Sequence, residues 1–313
     1  MDRKILFDFN GKREAVDKAA SIENEQDVPY TFVLRSELVR ILSAALAAGT
    51  IVYQKKLIHF KQDGDHVRLA FEDGTCAETD YMIASDGIFS TIRETLLPGH
   101  SVRFAGYACW RGIVRHCPAH IAKRFTETWG PKGRFGIVPL AQDRIYWYAL
   151  KNCHEHNEEL RYWSKEDLCY HFIDYHEPIP VLLDKTEQVD IFYRNIYDLP
   201  PIKQFAFQRI LLIGDAAHAT TPNMAQGACQ ALEDALILAL CFDRQQEIRQ
   251  AFLEYEKIRM DRTRKVVKDS WMIGKVAQLE APLLCTLRNK MIELAPDSIH
   301  TKKLKDLFSV QTS

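Results

Sequence analysis

The sequence lacks several features that would place it in particular classes of protein. Its 41 Lys and Arg residues are matched by 42 Asp and Glu residues, so there is no charge excess of the kind that binds nucleic acid or an anionic membrane. Its longest apolar stretch, residues 235–242, is far shorter than the roughly 20 residues that a transmembrane helix requires. These absences favour a small molecule as the partner and leave the oligomeric state open.

The eight cysteines show no pairing pattern. None forms a CxxC pair and no secretory leader is recognisable, so we expect reduced thiols in a cytoplasmic protein. The run Cys153–His156 (CHEH) resembles a set of metal ligands, but alternate residues of a strand point to opposite faces and no second ligand cluster follows. We therefore expect no metal site.

Hydrophobic periodicity predicts a mixed α/β fold. Helices are predicted at residues 36–46, 164–175, 226–241 and 245–271. Strands are predicted at residues 51–60, 66–71, 79–84, 188–193 and 209–213, with further strands within residues 102–150. Tight hairpins are expected at Asp63-Gly64 and Asp73-Gly74, and the wholly apolar run 209–213 is typical of a strand buried on both faces of a parallel sheet.

The strongest functional signal is the run Arg209–Ala235, RILLIGDAAHATTPNMAQGACQALEDA. Asp215 directly follows the buried strand, at the carboxyl edge where α/β proteins place their ligands, so its carboxylate can accept hydrogen bonds from a polyol. Gln226 and Gly227 then open a helix whose unpaired amides carry a partial positive charge. Such a helix start suits the negative charge that collects on the pyrimidine edge of a reduced flavin.

This run resembles the second FAD-binding motif of the class A flavoprotein monooxygenases, the para-hydroxybenzoate hydroxylase-like family. The family pattern of GDAAH, a spaced proline, GQG and EDA stands here as Gly214–His218, Pro222, Ala225–Gly227 and Glu233–Ala235. The resemblance implies that Asp215 binds the ribityl chain of FAD, with Gly214 and Ala216 beside it, and that the loop from Pro222 to Gly227 lies under the isoalloxazine ring. Ala225 replaces the family's glycine, which costs about 1 kcal/mol if that position requires a positive φ.

Two further segments match the same family in the same order along the chain. Residues 80–93 (DYMIASDGIFSTIR) look like its DG motif, which implies that Asp86 and Gly87 contact the flavin and the pyrophosphate of NAD(P)H. Ser90 can cap the helix that follows. Arg35, ahead of the first predicted helix, is similar to an arginine that contacts FAD in the family.

One feature of the family is missing. Its members carry a strand, GxGxxG and a helix that bind the ADP portion of FAD, whereas residues 1–35 contain a single glycine, Gly11. We therefore expect a chain that begins about one βαβ unit too late. Two alternatives to an active monooxygenase stay open: an inert or regulatory fragment that binds FAD poorly, and a different flavin chemistry on the same fold.

The resemblance implies a discontinuous FAD-binding domain at residues 1–100 and 196–280, a mixed β-sheet substrate domain at residues 101–195, and a helical tail at residues 281–313. It also implies that NAD(P)H reduces FAD and that a flavin C4a-hydroperoxide hydroxylates a small aromatic substrate. That step demands no protein acid or base, so no catalytic residue is predicted, and a backbone or packing role is expected for His218. We expect the substrate cavity to be lined by Arg111, Phe135, Tyr146 and Tyr148. The alternative for the aromatic residues is a place in the core, where strand aromatics more often lie.

Overall fold

The computed structural model describes residues 5–8, 10–16, 33–117 and 124–294. These residues form two compact units. The first unit contains residues 106–196, together with the described residues before 38 and after 274. The second unit contains residues 38–105 and 197–274. Residues 295–313 of the expected helical tail lie outside the described residues.

The described segments contain both strands and helices, as the periodicity predicts. The strands are β1 (Ile5–Asp8), β2 (Arg13–Val16), β3 (Leu57–Asp63), β4 (His66–Phe71), β5 (Cys76–Thr79), β6 (Met82–Ala84), β7 (Arg103–Val114), β8 (Thr126–Gly130), β9 (Gly133–Leu140), β10 (Arg144–Asn152), β11 (Phe192–Asp198), β12 (Ala206–Phe207) and β13 (Ile210–Leu212). The helices are α1 (Arg35–Ala44), α2 (Thr91–Leu96), α3 (Glu158–Arg161), α4 (Lys165–His171), α5 (Ile179–Asp184), α6 (Asp215–His218), α7 (Gly227–Arg244), α8 (Ile248–Ala277) and α9 (Pro282–Leu294).

None of these helices can cross a bilayer. Helices α7 and α8, with 18 and 30 residues, are too polar, and the other helices of the described segments are too short.

The first unit is built on one sheet, whose described strands follow the order β11-β7-β10-β9-β8-β1-β2. Strands β7, β10, β9 and β8 pair antiparallel, whereas β1 pairs with β8 in parallel. One face buries Trp110, Phe135 and Trp147 in a core with side chains of α4 and α5. The indole of Trp147 lies directly against Gly112, because a Cβ at that position would be 2.4 Å from the ring.

The second unit contains the parallel strand pair that the sequence predicts. Strands β6 and β13 are parallel, and β12 adds an antiparallel edge. Ile210, Leu211 and Leu212 are completely buried in a core that also receives side chains of α7 and α8. The predicted run at residues 79–84 is divided: Thr79 ends β5, and β6 begins at Met82 in a different sheet. Strands β3, β4 and β5 form the two expected hairpins.

The predicted strand at residues 188–193 is wrong over its first half. Gln188–Asp190 form a 3-10 turn, and β11 begins only at Phe192. Two side-chain contacts hold this turn: the Gln188 side chain accepts the Lys165 N–H at 2.7 Å, and the Asp190 carboxylate pairs with Arg115 at 3.0 Å. These long-range contacts outweigh the β propensity of the local sequence.

Candidate functional site

Two acidic residues follow neighbouring strands of the second unit and lie at the same edge of its sheet. Ala84 of β6 is paired with Leu212 of β13, and the Ile213 N–H donates to the Ala84 carbonyl at 3.0 Å. Asp86 and Asp215 follow these positions within three residues, so the two turns leave the same edge from neighbouring strands, which are spaced by about 4.8 Å. Both side chains are exposed. This edge therefore presents two carboxylates on the same side of the sheet.

A buried arginine joins the two turns. Ser90 caps α2 by accepting the Arg93 N–H at 2.9 Å, as the sequence predicts. The Arg93 side chain is completely buried and donates to the Ala216 carbonyl at 3.1 Å and to the Ile88 carbonyl at 2.8 Å. Because these carbonyls belong to the segments that follow β13 and β6, the guanidinium holds the two segments together. The local sequence around Arg93 gives no sign of these contacts, because one of its partners lies 123 residues away.

Asp234 organises the turn that carries Asp215. Gly214 adopts φ +57° and ψ −141°, which L-residues rarely adopt, and its N–H donates to Asp234 Oδ2 at 2.8 Å. His218 Nε2 lies 2.6 Å from the same oxygen, and Arg259 Nε donates to Oδ1 at 2.7 Å. The three side chains are almost completely buried. The His218 imidazole is therefore part of this buried hydrogen-bonded group, and the backbone or packing role expected for it stays a prediction.

The two acidic residues of the EDA motif close an ionic network between α7 and α8. Burial raises the pKa of Asp234, but His218, Arg259 and the Gly214 amide together lower it by more, so its pKa lies below the ordinary value. Glu233 pairs with Arg259 and accepts a hydrogen bond from Arg262 Nη2 at 2.9 Å. The sequence motif gave no sign of this network, because it depends on residues of the following helix.

The loop between α6 and α7 ends in a left-handed residue. Pro222–Met224 form a 3-10 turn, and Ala225 follows with φ +53° and ψ +28°. The position thus has the positive φ at which alanine costs about 1 kcal/mol. The buried Gln226 precedes α7, and no side chain of the described residues caps the first turn of that helix. Its first amides therefore remain available to an anion.

The first unit carries polar candidates on the sheet face opposite α4 and α5. The register pairs Arg111 with Tyr148 across β7 and β10, and Tyr146 lies on the same face because side chains alternate along a strand. All three are half-buried. Phe135 lies on the other face, completely buried, with its ring stacked 5.4 Å from that of Trp147. Phe135 is thus a core residue, the alternative that the sequence left open.

Tyr148 extends across strand β9 toward a buried ion pair. A Cβ on Gly136 would lie 2.0 Å from the Tyr148 ring, so glycine is needed for this close approach. Glu127 and Arg134 are both buried, and Arg134 Nη2 lies 2.6 Å from Glu127 Oε1. Burial and the Glu127 charge raise the pKa of Tyr148, and burial raises the pKa of Tyr146 to about 12. Both phenols are therefore protonated at neutral pH.

Arg111 adds a cation to this face. Cys109, followed by Tyr146, raises the pKa of Arg111, and among the described residues no carboxylate forms an ion pair with it. A guanidinium has only hydrogen-bond donors, and a protonated phenol can donate as well. The face formed by Arg111, Tyr146 and Tyr148 therefore suits a ligand that carries acceptor oxygens.

The remaining sequence candidates lie outside these two groups. Arg35 is the first residue of α1 and is exposed, and its contact with FAD stays a prediction. His154 and His156 are exposed after β10. In the described part of the chain, no three His, Cys, Asp or Glu side chains come together as metal ligands would.

Sequence comparison relates the chain to known proteins over most of its length. Residues 8–270 match the family described as FAD binding domain. The aurachin C monooxygenase/isomerase of Stigmatella aurantiaca is 33% identical over 286 residues, which are 90% of this chain and 74% of that protein. The 3-amino-4-hydroxybenzoate 2-monooxygenase of Streptomyces cremeus is 31% identical over 279 residues, which are 87% of this chain and 69% of that protein.

Solved structures show the same fold. Klebsiella pneumoniae HpxO, complexed with FAD and uric acid, matches with a TM-score of 0.91 and 25% identity over 100% of this chain and 82% of that one. A salicylate hydroxylase substrate complex matches with a TM-score of 0.72 and 20% identity over 100% of this chain and 83% of that one, a likeness of fold alone. The mixed α/β fold expected from the sequence is thereby confirmed.

Proposed function

The chain belongs to the FAD-binding-domain family of the class A flavoprotein monooxygenases, and we propose that it is an FAD-dependent hydroxylase of small aromatic compounds. The observation that carries the proposal is the sheet edge of the second unit. There Asp86, Asp215 and the uncapped start of α7 stand on segments that Arg93 and Asp234 tie together. The aminohydroxybenzoate monooxygenase among the relatives supports an aromatic substrate.

We assign FAD to the second unit. Asp215 is exposed between the buried residues Gly214 and Ala216, so its carboxylate can accept hydrogen bonds from the ribityl hydroxyls. The amides of the α7 start at Gln226 and Gly227 stabilise the negative charge of the reduced ring. When bound and reduced by NAD(P)H, FAD supplies the activation of O₂, and the protein contributes orientation, exclusion of water and electrostatics.

The other predicted cofactor residues keep their assignment as part of this proposal. Asp86 and Gly87 form the second turn at the same edge, where they suit the flavin and the pyrophosphate of NAD(P)H. Pro222 and Ala225 shape the loop that supports the ring. Arg35 belongs to the first unit, and its contact with a phosphate or ribityl oxygen of FAD rests on the sequence resemblance alone.

We assign the substrate to the polar sheet face of the first unit. Arg111 and the protonated phenol of Tyr146 donate to acceptor oxygens, and the rings of Tyr146 and Tyr148 supply apolar contact to an aromatic nucleus. An aromatic compound that bears a carboxylate, phenolate or carbonyl oxygen therefore suits this face better than a hydrocarbon does. The charge of Arg111 selects for an anionic oxygen over a neutral one.

FAD titration of the purified chain tests the cofactor assignment. We expect binding, detected as quenching of flavin fluorescence. Asp215→Ala should weaken it by about 10- to 100-fold, since hydrogen bonds to a charged group contribute about 1.5–3 kcal/mol. Asp261→Ala is the matched control, because Asp261 is an exposed aspartate of the same unit whose only ion-pair partner among the described residues is Arg264. A wild-type chain that binds no FAD would contradict the proposal.

Turnover tests the substrate assignment. NAD(P)H oxidation is measured with aryl carboxylates, phenols and N-heterocycles, and products are analysed by mass spectrometry. We expect substrate-dependent oxidation and a product heavier by one oxygen atom. Tyr146→Phe should weaken substrate binding by about 2- to 10-fold, the effect of one hydrogen bond, with FAD affinity unchanged. Oxidation of NAD(P)H without an oxygenated product from any compound would argue against a hydroxylase.

A further inference from the structure

Helix α8 carries a stripe of buried polar residues. Arg259, Thr263 and Ser270 have side chains with at most 1% of their surface exposed. Their spacing of four and seven residues places them on one face of the helix. Buried polar groups are unfavourable unless they are hydrogen-bonded, so each of these side chains must have a specific partner.

The two ends of this stripe hold the two ends of the segment from Gly214 to Thr221, which contains α6. At one end, Arg259 binds Asp234, which in turn binds the Gly214 amide ahead of α6. At the other end, the Ser270 hydroxyl donates to the Thr221 carbonyl at 2.7 Å, and the Thr221 and Ser270 hydroxyl oxygens lie 2.8 Å apart. Ser270 lies eleven positions after Arg259, which corresponds to a rise of about 16 Å along the helix axis.

Asn223 completes the second anchor. Its Nδ2 donates to the Thr221 hydroxyl at 2.8 Å and to the Ser270 carbonyl at 2.9 Å. Thr221 and Ser270 are both almost completely buried. Thr221, Asn223 and Ser270 therefore form one connected set of hydrogen bonds around Pro222. Beyond this anchor the loop reaches the strained Ala225 and the start of α7.

We propose that Thr221 and Ser270 are positioning residues for the flavin: their buried hydroxyl pair holds the loop from Pro222 to Gly227 at a fixed position along helix α8. Because one helix holds both anchors, the rise of α8 fixes the distance between the Gly214 turn and this loop. The inference rests on the proposed function, since it takes FAD as the ligand of the loop. It assigns a cofactor role to side chains that do not contact the cofactor themselves.

One substitution made at two positions separates this role from a general contribution to stability. Thr221→Val removes the loop hydroxyl. Thr263→Val removes an equally buried hydroxyl, which within the described part of the chain donates to the carbonyls of Arg259 and Met260 in its own helix. Both variants should lower Tm. Only Thr221→Val should weaken FAD binding, by about 5- to 10-fold, and alter the visible circular dichroism of the bound flavin.

The experiment starts with FAD titration of the wild-type chain. If the wild type binds no FAD, the proposed function and this inference both fail. If the wild type binds FAD and the two valine variants bind it equally well, only the positioning role is overturned. Thr221→Ser, which keeps the hydroxyl, should restore wild-type affinity and spectrum. Should Thr221→Val not fold, Ser270→Ala takes its place, and unchanged FAD affinity in that variant would overturn the role.

Discussion

Replacement of Ala225 by glycine tests the loop geometry most directly. Ala225 is exposed and adopts φ +53° and ψ +28°. This left-handed conformation disfavours an L-residue by about 1–2 kcal/mol. Glycine avoids that cost but adds about 0.4–1 kcal/mol of unfolded-chain entropy. Ala225→Gly should therefore raise the free energy of unfolding by about 0.5–1 kcal/mol, which thermal or urea unfolding can detect as a Tm increase of a few degrees.

FAD affinity is the second measurement on this variant. Since the Tm prediction places the strain in the fold itself, Ala225→Gly should leave FAD affinity within about twofold of the wild type. Gln208→Gly is the matched control, because Gln208 is also exposed, with φ +57°, in the turn between β12 and β13. It should raise Tm without changing FAD affinity. A raised Tm for the control with an unchanged or lower Tm for Ala225→Gly would refute the strain at position 225.

Two further variants test the buried contacts. Gly136→Ala should lower the free energy of unfolding by about 1–3 kcal/mol, because the new Cβ would lie 2.0 Å from the Tyr148 ring, and an added Tyr148→Ala should recover part of the loss in urea unfolding. Asp234→Asn tests the ionic network: the folded-state pKa of Asp234 is lowered, so its stabilisation is present above the unfolded-state pKa of about 3.9 and is lost as the pH falls below it. The difference in unfolding free energy between wild type and Asp234→Asn should thus shrink below that pH, and a difference independent of pH would contradict the network.

Features with local sequence signals were predicted well. The hairpins at Asp63-Gly64 and Asp73-Gly74 and the buried strand before Gly214 all form. Each depends on a turn residue or an apolar run that can be read without knowledge of the rest of the chain. The prediction of a strand at residues 188–193 was wrong for the first half, because contacts with distant residues hold that half in a 3-10 turn.

Features that depend on register or on distant partners could not be predicted. Phe135 and Tyr146 are both aromatic residues of strands, and the sequence does not show that they lie on opposite faces of the sheet. A shift of one residue in register would exchange the two faces. Arg93 meets the Ala216 carbonyl across 123 residues of sequence, and Asp234 meets the Gly214 amide across 20. The motifs contain these residues, but only the packed structure gives them partners.

The glycines beneath the large rings bear on how this protein could be engineered. Trp147 lies against Gly112 on one side of the sheet, and Tyr148 lies against Gly136 on the other. A mutational library that aims to change the range of accepted compounds should keep both glycines and diversify positions 111 and 146. Random changes at positions 112 and 136 would mostly yield misfolded clones and obscure gains made elsewhere.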